Sequence, residues 1–284
     1  MALATRHGKQ RVIGPALRHG LGAELLHLPQ LDTDQLGSFC GTVARRGTAL
    51  EACIAKAELA LAASEVSLAI ASEGSFGPHP AVPLLPIGLE LMVFLDRERG
   101  LTISEQLQAH RTNFAQRRLR PGDLQAGGPG PELERWLQAV GFPHHALILR
   151  PIAAAGDNAR LHKGLRDIAS LLAAVDAAMA EAPQGELQLE TDMRAHCNPT
   201  RMASIRRLSF RLVRRLATPC PRCQTPGWGR IDALPGLPCG WCGEPTELIR
   251  AEVHGCVRCD HRQELPRRDG LRQADPGQCP FCNP

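Results

Sequence analysis

The sequence is poor in aromatic residues, which make up 4% of the chain, and it contains no tyrosine. Proteins that bind single-stranded nucleic acid without sequence preference stack the bases on aromatic side chains, so this scarcity argues against such a protein. Nor is there an uninterrupted apolar run of the roughly 18 residues that a membrane-spanning helix needs. Residues 1–6 lack the basic segment and apolar run of a signal peptide, so we expect a cytoplasmic protein.

Charge and cysteine are distributed unevenly along the 284 residues. Residues 1–198 contain 19 Lys and Arg against 21 Asp and Glu, whereas residues 199–284 contain 14 against 8, together with eight of the 11 cysteines. Two physically different regions therefore share the chain. We predict an α/β domain with a ligand site over residues 1–198, a basic connecting helix over 199–217 and a cysteine-rich module over 218–284.

The cysteine-rich module contains four Cys-x-x-Cys pairs. They are Cys220/Cys223, Cys239/Cys242, Cys256/Cys259 and Cys279/Cys282. Fifteen residues separate the first two pairs and 19 the last two, which is the spacing of a four-cysteine zinc ribbon. Disulfides are the less favoured interpretation, because they need an oxidising compartment. The spacing predicts a double zinc ribbon with two structural zinc ions.

Two pairings of these cysteines satisfy the spacing. Pairing in sequence order gives two successive ribbons, and this is the arrangement that we predict. An interleaved arrangement, first pair with third and second with fourth, stays open because only 13 residues link Cys242 to Cys256. In either case four thiolates fill each metal site, which favours a structural or interaction role over catalysis.

The remainder of the chain alternates between strand and helix patterns, which predicts an α/β fold: a layered sheet with flanking helices. Asn198 and Pro199 are suited to cap and begin the last helix. The predicted strands are 1–5, 66–71, 89–96, 100–104, 146–151 and 186–190, with 89–104 a hairpin. The predicted helices are 8–19, 47–63, 162–180 and 199–216.

Polar clusters follow several of these strands, and ligands of α/β folds bind beyond the carboxyl ends of strands. The loop after the first strand opens a helix, whose free backbone N–H groups favour phosphate or carboxylate. The alternative is an ordinary strand–helix turn with a solvated lysine. The predicted phosphate-binding residues are Thr5, His7, Gly8, Lys9 and, at the end of another strand, Arg150.

Carboxylates in the other clusters are candidates for catalysis. Glu73 lies in a predicted glycine-containing loop, where it could bind a metal or act as a general base. Glu190 and Asp192 are two residues apart and could share a hard cation such as Mg²⁺. Arg194 could stabilise developing charge. The alternatives are a turn residue at Glu73 and, for Glu190 and Asp192, a helix-capping or ion-pair role with Arg194.

Several blocks together resemble an uncharacterised bacterial family of unknown function with a C-terminal double zinc ribbon. The blocks are ATRHGKQ, DTDQLGSF, ASEGSFGPHP, ETDMRAHCNPTRM and the tail CPRC…CGWC…CVRC…CPFCNP. This resemblance covers nearly the whole chain, and it implies no established activity.

Residues 2–105 have a more distant resemblance to house-cleaning nucleoside triphosphate pyrophosphatases of the inosine/xanthosine triphosphatase group. It is based on residues 5–9, 48–57 and 73–75, although Arg6 and Ser75 replace an asparagine and a glycine of that group. The resemblance implies that Lys9 holds phosphates and that Glu73 serves the metal.

These observations lead to two expectations about function. The first is a Mg²⁺-dependent hydrolase of a phosphorylated small molecule such as a nucleoside triphosphate. The alternative is a non-enzymatic protein that binds nucleic acid or a protein partner through its ribbons and a basic helix, with no membrane partner; self-association stays open. The arginines of that helix are Arg201, Arg206, Arg207, Arg211, Arg214 and Arg215.

Overall fold

A computed structural model describes residues 1–36, 47–79, 82, 85–120, 122–125, 128–152, 161–181 and 186–283. They form two compact units: unit 1 comprises residues 1–95 and 104–210, and unit 2 comprises 96–103 and 211–284. None of the helices in the described ranges has the length and apolar character needed to cross a membrane. The helices are α1 (Gln10–Leu21), α2 (Ala49–Ala62), α3 (Pro131–Ala139), α4 (Ile168–Glu181) and α5 (Pro199–Leu216).

The strands are β1 (Ala2–Leu3), β2 (Leu26–His27), β3 (Leu68–Pro78), β4 (Pro86–Asp96), β5 (Leu101–Ala109), β6 (Gln116–Leu119), β7 (Leu124–Gln125), β8 (Gly128–Pro129), β9 (Leu147–Pro151), β10 (His162–Leu165), β11 (Leu187–Thr191), β12 (Gly229–Pro235), β13 (Ile249–Gly255) and β14 (Arg262–Pro266). Short 3₁₀ helices are formed by Thr33–Leu36, Ala195–Cys197 and Pro276–Gln278.

The first sheet has the strand order β2-β1-β3-β4-β5. Strand β1 pairs in parallel with both β2 and β3, and β4 and β5 form the predicted hairpin around a turn at 97–100. Helix α2 covers one face: Cys53 and Ala57 pack with Ala69 and Ala71 in one buried cluster. Because alternate residues of a strand point to opposite faces, the odd-numbered residues of β3 face α2.

A second, antiparallel sheet follows in the same unit, with the order β10-β9-β11-β6. Helices α3 and α4 bury Leu133 and Leu171 against its Leu149 and Leu187. The prediction of a helix over 162–180 was wrong at its start, because residues 162–165 form β10 against β9. Gly164 has a φ of 76°, a left-handed conformation that ends helical geometry, so the helix begins only at Ile168.

Helix α5 has the predicted bounds. The side-chain oxygen of Asn198 accepts a hydrogen bond from the Arg201 N–H at 2.9 Å, which confirms the predicted cap. Ile205, Leu208 and Leu212 recur at helical spacing and are fully buried, so this stripe fixes the orientation of the helix.

Unit 2 is built around the antiparallel sheet β12-β13-β14. Gly229 pairs with Gly255 at one end of the β12–β13 ladder, and Pro235 pairs with Ile249 at the other. The first three cysteine pairs lie close to an end of one of these strands, whereas the fourth follows β14 after a longer segment that pairs with the second cysteine turn through Ala274.

Candidate functional site

The loop between β1 and α1 positions the predicted phosphate-binding residues. Lys9 is buried, and its Nζ donates to the Ser72 carbonyl oxygen at 2.8 Å. The Thr5 hydroxyl accepts from the His7 backbone N–H, and Gly8 adopts a φ of 71° beside His196. Within the described ranges no side chain caps the start of α1. The N–H groups of Arg11 and Val12 donate to the Gly8 and Lys9 carbonyls, which leaves the N–H of Gln10 for an anion.

The ammonium group of Lys9 lies in a cluster of buried charges. Burial lowers the pKa of Lys9 to about 8, and the positive charge of Arg201 acts in the same direction. Glu73 and Glu90 raise it, while Lys56 lowers it. We call these five residues the charged cluster.

Glu73 belongs to this cluster but not to a loop. The prediction of a loop after residue 71 was wrong, because β3 continues to Pro78 and includes Glu73. Its carboxylate accepts from Lys56 Nζ at 2.6 Å, and both side chains are over 90% buried. The structure thus places Glu73 one residue beyond the carbonyl that Lys9 contacts, and pairs it with a second lysine.

Glu90 and Arg201, which were not among the predicted catalytic or phosphate-binding residues, complete the cluster on the opposite face of β3. Both side chains are fully buried, and Arg201 Nε donates to Glu90 Oε1 at 2.7 Å. A Cβ at Gly74 would lie 2.6 Å from Arg201 Nη2, so only glycine lets the guanidinium approach this strand. The Arg201 guanidinium also lies over the Phe76 ring, at 5.2 Å from its centroid.

These buried charges have a signal in the sequence. Lys56 shares the buried face of α2 with Cys53 and Ala60, at spacings of three and four residues. Arg201 likewise occupies the same stripe as Ile205 and Leu208. A charged residue at an apolar helical position needs a buried partner, and that requirement would have identified both. No comparable periodic pattern in the sequence identifies His196.

Two histidines meet beside Lys9. The rings of His7 and His196 stack with centroids 5.2 Å apart and planes inclined by 26°. Burial, reinforced by the charge of Lys9, lowers the pKa of His7 to about 3. Burial also lowers the pKa of His196, and the charge of Arg194 adds to this effect. Both imidazoles are therefore neutral at physiological pH.

Asp192 lies at the end of β11, in the second sheet of unit 1. Its carboxylate accepts three hydrogen bonds from the Arg194 guanidinium, the shortest 2.6 Å, and one from the Arg194 backbone N–H. Burial acts to raise the pKa of Asp192, but the hydrogen bonds and charge of Arg194 outweigh it and hold this pKa below its usual value. The charge of Arg194 also reaches His7, which links Asp192 to the charged cluster.

Glu190 and Arg150 lie on a different part of the second sheet. Arg150 Nε donates to Glu190 Oε1 at 3.2 Å, and Gln188 donates to the same oxygen. These side chains project from the half-exposed face of β9 and β11. The structure therefore assembles Lys9, His7, Glu73 and, through Arg194, Asp192, while Glu190 and Arg150 pair with each other.

A buried hydroxyl beside Lys9 has no hydrogen-bond partner among the described residues. It belongs to Ser72, which is 5% exposed and lies two residues before Gly74. By the alternation of strand side chains it points to the same face of β3 as the Arg201 guanidinium. A buried polar group without a partner is costly, which is why it marks a position that a ligand atom can satisfy.

The described carboxylates do not fit a Mg²⁺ site in this arrangement. Glu73, Glu90 and Asp192 are each hydrogen-bonded to a buried or half-buried cation, at 2.6 to 2.7 Å. Within the described ranges, the clusters of three or more cysteine, histidine or acidic side chains able to share an ion are two cysteine tetrads.

Each tetrad combines two cysteine pairs that are not neighbours in the sequence: the first with the third, and the second with the fourth. The members of each tetrad lie within 4.8 Å of one another, so both tetrads could hold metal ions such as zinc. Tetrad 1 is Cys220, Cys223, Cys256 and Cys259, and tetrad 2 is Cys239, Cys242, Cys279 and Cys282. The predicted pairing in sequence order was wrong, and the interleaved alternative is the arrangement observed.

Strand topology explains the interleaving. The chain leaves the first cysteine pair along β12 and reaches the second pair at the far end of the sheet. It returns along β13 to the third pair and leaves along β14 for the fourth. Because antiparallel strands reverse direction, successive pairs alternate between the two ends. The spacing of the pairs alone does not reveal that one strand occupies each linker.

The tetrad geometry matches tetrahedral metal coordination. Sulfur–sulfur distances of 3.8 and 3.5 Å join the two cysteine pairs of tetrad 1, and 3.9 and 3.6 Å join those of tetrad 2. A tetrahedral site with Zn–S bonds of about 2.3 Å has S···S edges of about 3.8 Å. The backbone N–H groups of Cys242 and Trp241 lower the pKa of Cys239 to about 7, whereas the pKa values of Cys242, Cys259 and Cys282 are raised. Deprotonated, converging thiolates are the ligands that zinc prefers.

The residue just before the second cysteine of each Cys-x-x-Cys pair differs between the tetrads. Tetrad 1 presents Arg222 and Arg258 there, and tetrad 2 presents Trp241 and Phe281. Trp241 is 79% exposed and Phe281 is 67% exposed. The aromatic residues of this sequence are few, and two of the most exposed ones lie at one metal-binding end of unit 2.

The fold and these sites define a mixed α/β protein with a C-terminal cysteine module able to bind two metal ions. The chain belongs to a family described as a domain of unknown function, DUF6671, whose model matches residues 56–284. This match includes both tetrads and the cluster residues after position 55, and it begins after Lys9. No curated protein and no solved structure matches the chain. The resemblance to nucleoside triphosphate pyrophosphatases stays a prediction.

Proposed function

We propose that unit 1 binds a phosphorylated small molecule, a nucleoside triphosphate being one candidate, and hydrolyses it. The observation that carries this proposal is Lys9, a buried cation at the uncapped start of α1. Its neighbour Ser72 contributes a buried hydroxyl without a partner among the described residues. A helix start, a cation and an unsatisfied hydroxyl are together suited to phosphate oxygens.

Charge balance supports an anionic ligand. Glu73 and Glu90 neutralise Lys56 and Arg201, and Lys9 donates to a neutral carbonyl instead of a carboxylate. The charged cluster therefore has one positive charge in excess. A bound phosphate would neutralise this charge in a largely buried setting, where such an interaction is stronger than in water.

Each neighbouring group has a role in this proposal. Lys9 and the Gln10 N–H at the start of α1 hold the transferred phosphoryl group, and Arg194 faces the charge that develops on it. Glu73 holds Lys56 and thereby sets the field at Lys9. Since the carboxylates are already paired, we derive no step that passes through Mg²⁺.

The test is turnover of a panel of nucleoside triphosphates and phosphate esters by the full chain, with and without Mg²⁺. We expect Lys9→Ala to lower kcat/KM by roughly 100-fold or more, because one preorganised phosphate contact is lost. Glu24→Gln, at an exposed position that pairs with Arg18, serves as the control. Turnover of Lys9→Ala equal to that of the wild type would refute the assignment.

We further propose that the two tetrads hold structural zinc ions. Four thiolates fill each site, so neither offers an open position for substrate. Intact-protein mass spectrometry under native conditions should find two zinc ions per chain. Binding of a different metal, or of fewer than two ions to the freshly purified protein, contradicts this proposal.

A second candidate function is macromolecule binding through α5. Arg206, Arg207 and Arg214 are exposed on this helix, whereas Arg201 is buried against Glu90. Exposed arginines can contact a phosphate backbone, and such binding weakens steeply with salt. Retention on DNA or RNA at low salt that is lost in the triple Arg206→Gln, Arg207→Gln, Arg214→Gln variant supports it. Absence of retention at low salt removes it.

A further inference from the structure

The stacked histidines of unit 1 lie directly beside the phosphate-binding loop. His7 lies two residues before Lys9, and His196 lies in the 3₁₀ helix that precedes α5. Gly8 brings the loop against this 3₁₀ helix: a Cβ at this glycine would lie 3.5 Å from His196 Cβ. Arg166 anchors the same turn by donating to the His196 carbonyl at 2.8 Å. Chain segments far apart in sequence thus hold the two rings together.

The surroundings of the pair are rich in positive charge. The charged groups that act on His7 or His196 come from α1, from the segment after β11, from the β10–α4 turn and from α5. They are Lys9, Arg11, Arg166, Arg194 and Arg201, with Asp192 as the carboxylate. This field and burial keep both rings neutral while no anion is bound.

We propose that the His7–His196 pair is the proton donor of this site: it takes up a proton when a phosphate group binds and delivers that proton to the oxygen that leaves. This inference rests on the proposed function. Burial and the nearby cations lower the pKa of both histidines, and a bound anion opposes the effect of the cations, which favours the imidazolium form.

A water oxygen forms a bond to phosphorus, and the bond from phosphorus to the bridging oxygen breaks with its electron pair on that oxygen. The bridging oxygen takes the imidazolium proton and leaves as a hydroxyl group. The attacking water retains one hydrogen on the product phosphate and releases the other as a proton, which replaces the one donated.

Calorimetry with sulfate tests the proton uptake without any variant. Sulfate stands in for phosphate and has no titrating proton at about pH 6, where Lys9, with its pKa of about 8, is protonated in both states. Binding heats are compared in two buffers of different ionisation enthalpy. We expect uptake of up to about one proton per bound sulfate.

Variants assign the proton to the pair. His7→Gln and His196→Gln should bind sulfate and lose the uptake, whereas His19→Gln should keep it. His19 is exposed on the same helix, ten positions beyond Lys9 and about 15 Å away at 1.5 Å per residue. Equal heats in the two buffers, with sulfate bound, would overturn the donor role alone. Absence of binding by sulfate and by pyrophosphate would overturn the anion site as well.

Leaving-group dependence provides a readout that a purely structural role would not change. Alkyl phosphates need a proton on the departing oxygen, while 4-nitrophenyl phosphate releases a stable anion. We expect the His7→Gln and His196→Gln variants to lose roughly 100-fold or more in kcat with the alkyl ester and far less with the nitrophenyl ester. Equal losses with both esters contradict proton donation.

Discussion

At the scale of single residues, burial of Lys9 lowers the stability of the protein at neutral pH, while the proposed function requires this lysine. The folded-state pKa of about 8 lies below the ordinary 10.5, so the unfolded chain binds more protons between these values. Stability therefore rises with pH from about 8 to 10.5, and the charged lysine is a burden at neutral pH. We expect Lys9→Met to stabilise the protein by about 1–2 kcal/mol at pH 7 and to remove this pH dependence.

Urea unfolding of Lys9→Met at pH 7 and at pH 10 measures both effects. Lys163→Met is the control, because Lys163 lies on the outer strand β10. Loss of anion binding together with a gain in stability would identify Lys9 as a functional residue kept at a structural cost. A destabilised Lys9→Met would instead mean that the bond to the Ser72 carbonyl outweighs the burial of charge.

The buried ion pair between Arg201 and Glu90 stabilises the fold, whereas the buried charge of Lys9 destabilises it. Both side chains are 0% exposed, so removing Arg201 leaves the buried Glu90 carboxylate without the hydrogen bonds of the guanidinium. We expect Arg201→Met to cost about 3–5 kcal/mol in the free energy of unfolding. The double variant Arg201→Met, Glu90→Leu should recover more than half of this loss. Urea denaturation curves of the single and double variants provide the comparison, and a single-variant loss below about 1 kcal/mol contradicts the prediction.

At the scale of elements, two cysteine turns of unit 2 share one construction. In each, a proline precedes the first cysteine and pairs with a proline seven positions on: Pro219 with Pro226 and Pro238 with Pro245. The residue after the second cysteine has a positive φ in both turns. It is Gln224 at 60° in one and Gly243 at 78° in the other. A side chain is strained in this conformation, and glycine is not.

Exchanging these two residues should therefore have opposite effects. We expect Gln224→Gly to stabilise unit 2 by about 1 kcal/mol and Gly243→Gln to destabilise it by a similar amount. Thermal unfolding of the metal-loaded protein measures both. The two variants act as controls for each other, because a general loss of packing would shift both melting temperatures in the same direction.

Sequence patterns predicted local elements better than long-range pairing. Helix α5 has a cap, a proline at its first position and an apolar stripe, all of them local signals. Strand β3 continues past Ala71 through Ser72, Glu73 and Gly74, which resemble a turn because their extended form depends on pairing with neighbouring strands. For the same reason the loop around Lys9 was identified, while its contacts with Arg201 and His196 were not.

At the scale of the whole molecule, the interleaved tetrads make a specific prediction about cysteine protection. Loss of one ligand should expose the three thiols that shared its metal, wherever they lie in sequence. We expect Cys279→Ser to make Cys239, Cys242 and Cys282 reactive toward iodoacetamide, with tetrad 1 still protected. Mass spectrometry of the alkylated protein identifies the modified residues.

The mirror variant completes this experiment. Cys256→Ser should expose Cys220, Cys223 and Cys259 and leave tetrad 2 protected. Sites paired in sequence order would give a different pattern, with Cys279→Ser exposing Cys256, Cys259 and Cys282. Exposure of all the remaining cysteines in either variant would mean that the two metals bind as one cooperative unit.

The back-and-forth path of unit 2 also affects its synthesis. A chain leaving the ribosome presents Cys220, Cys223, Cys239 and Cys242 before Cys256, so four thiols are available while their rightful partners are still missing. At roughly 5–20 residues per second, the 14 positions from Cys242 to Cys256 take about 1–3 s. A zinc ion captured in that interval would hold the wrong four ligands. The pair that follows β13 would then have to displace two of them, so correct metal loading would require ligand exchange during translation.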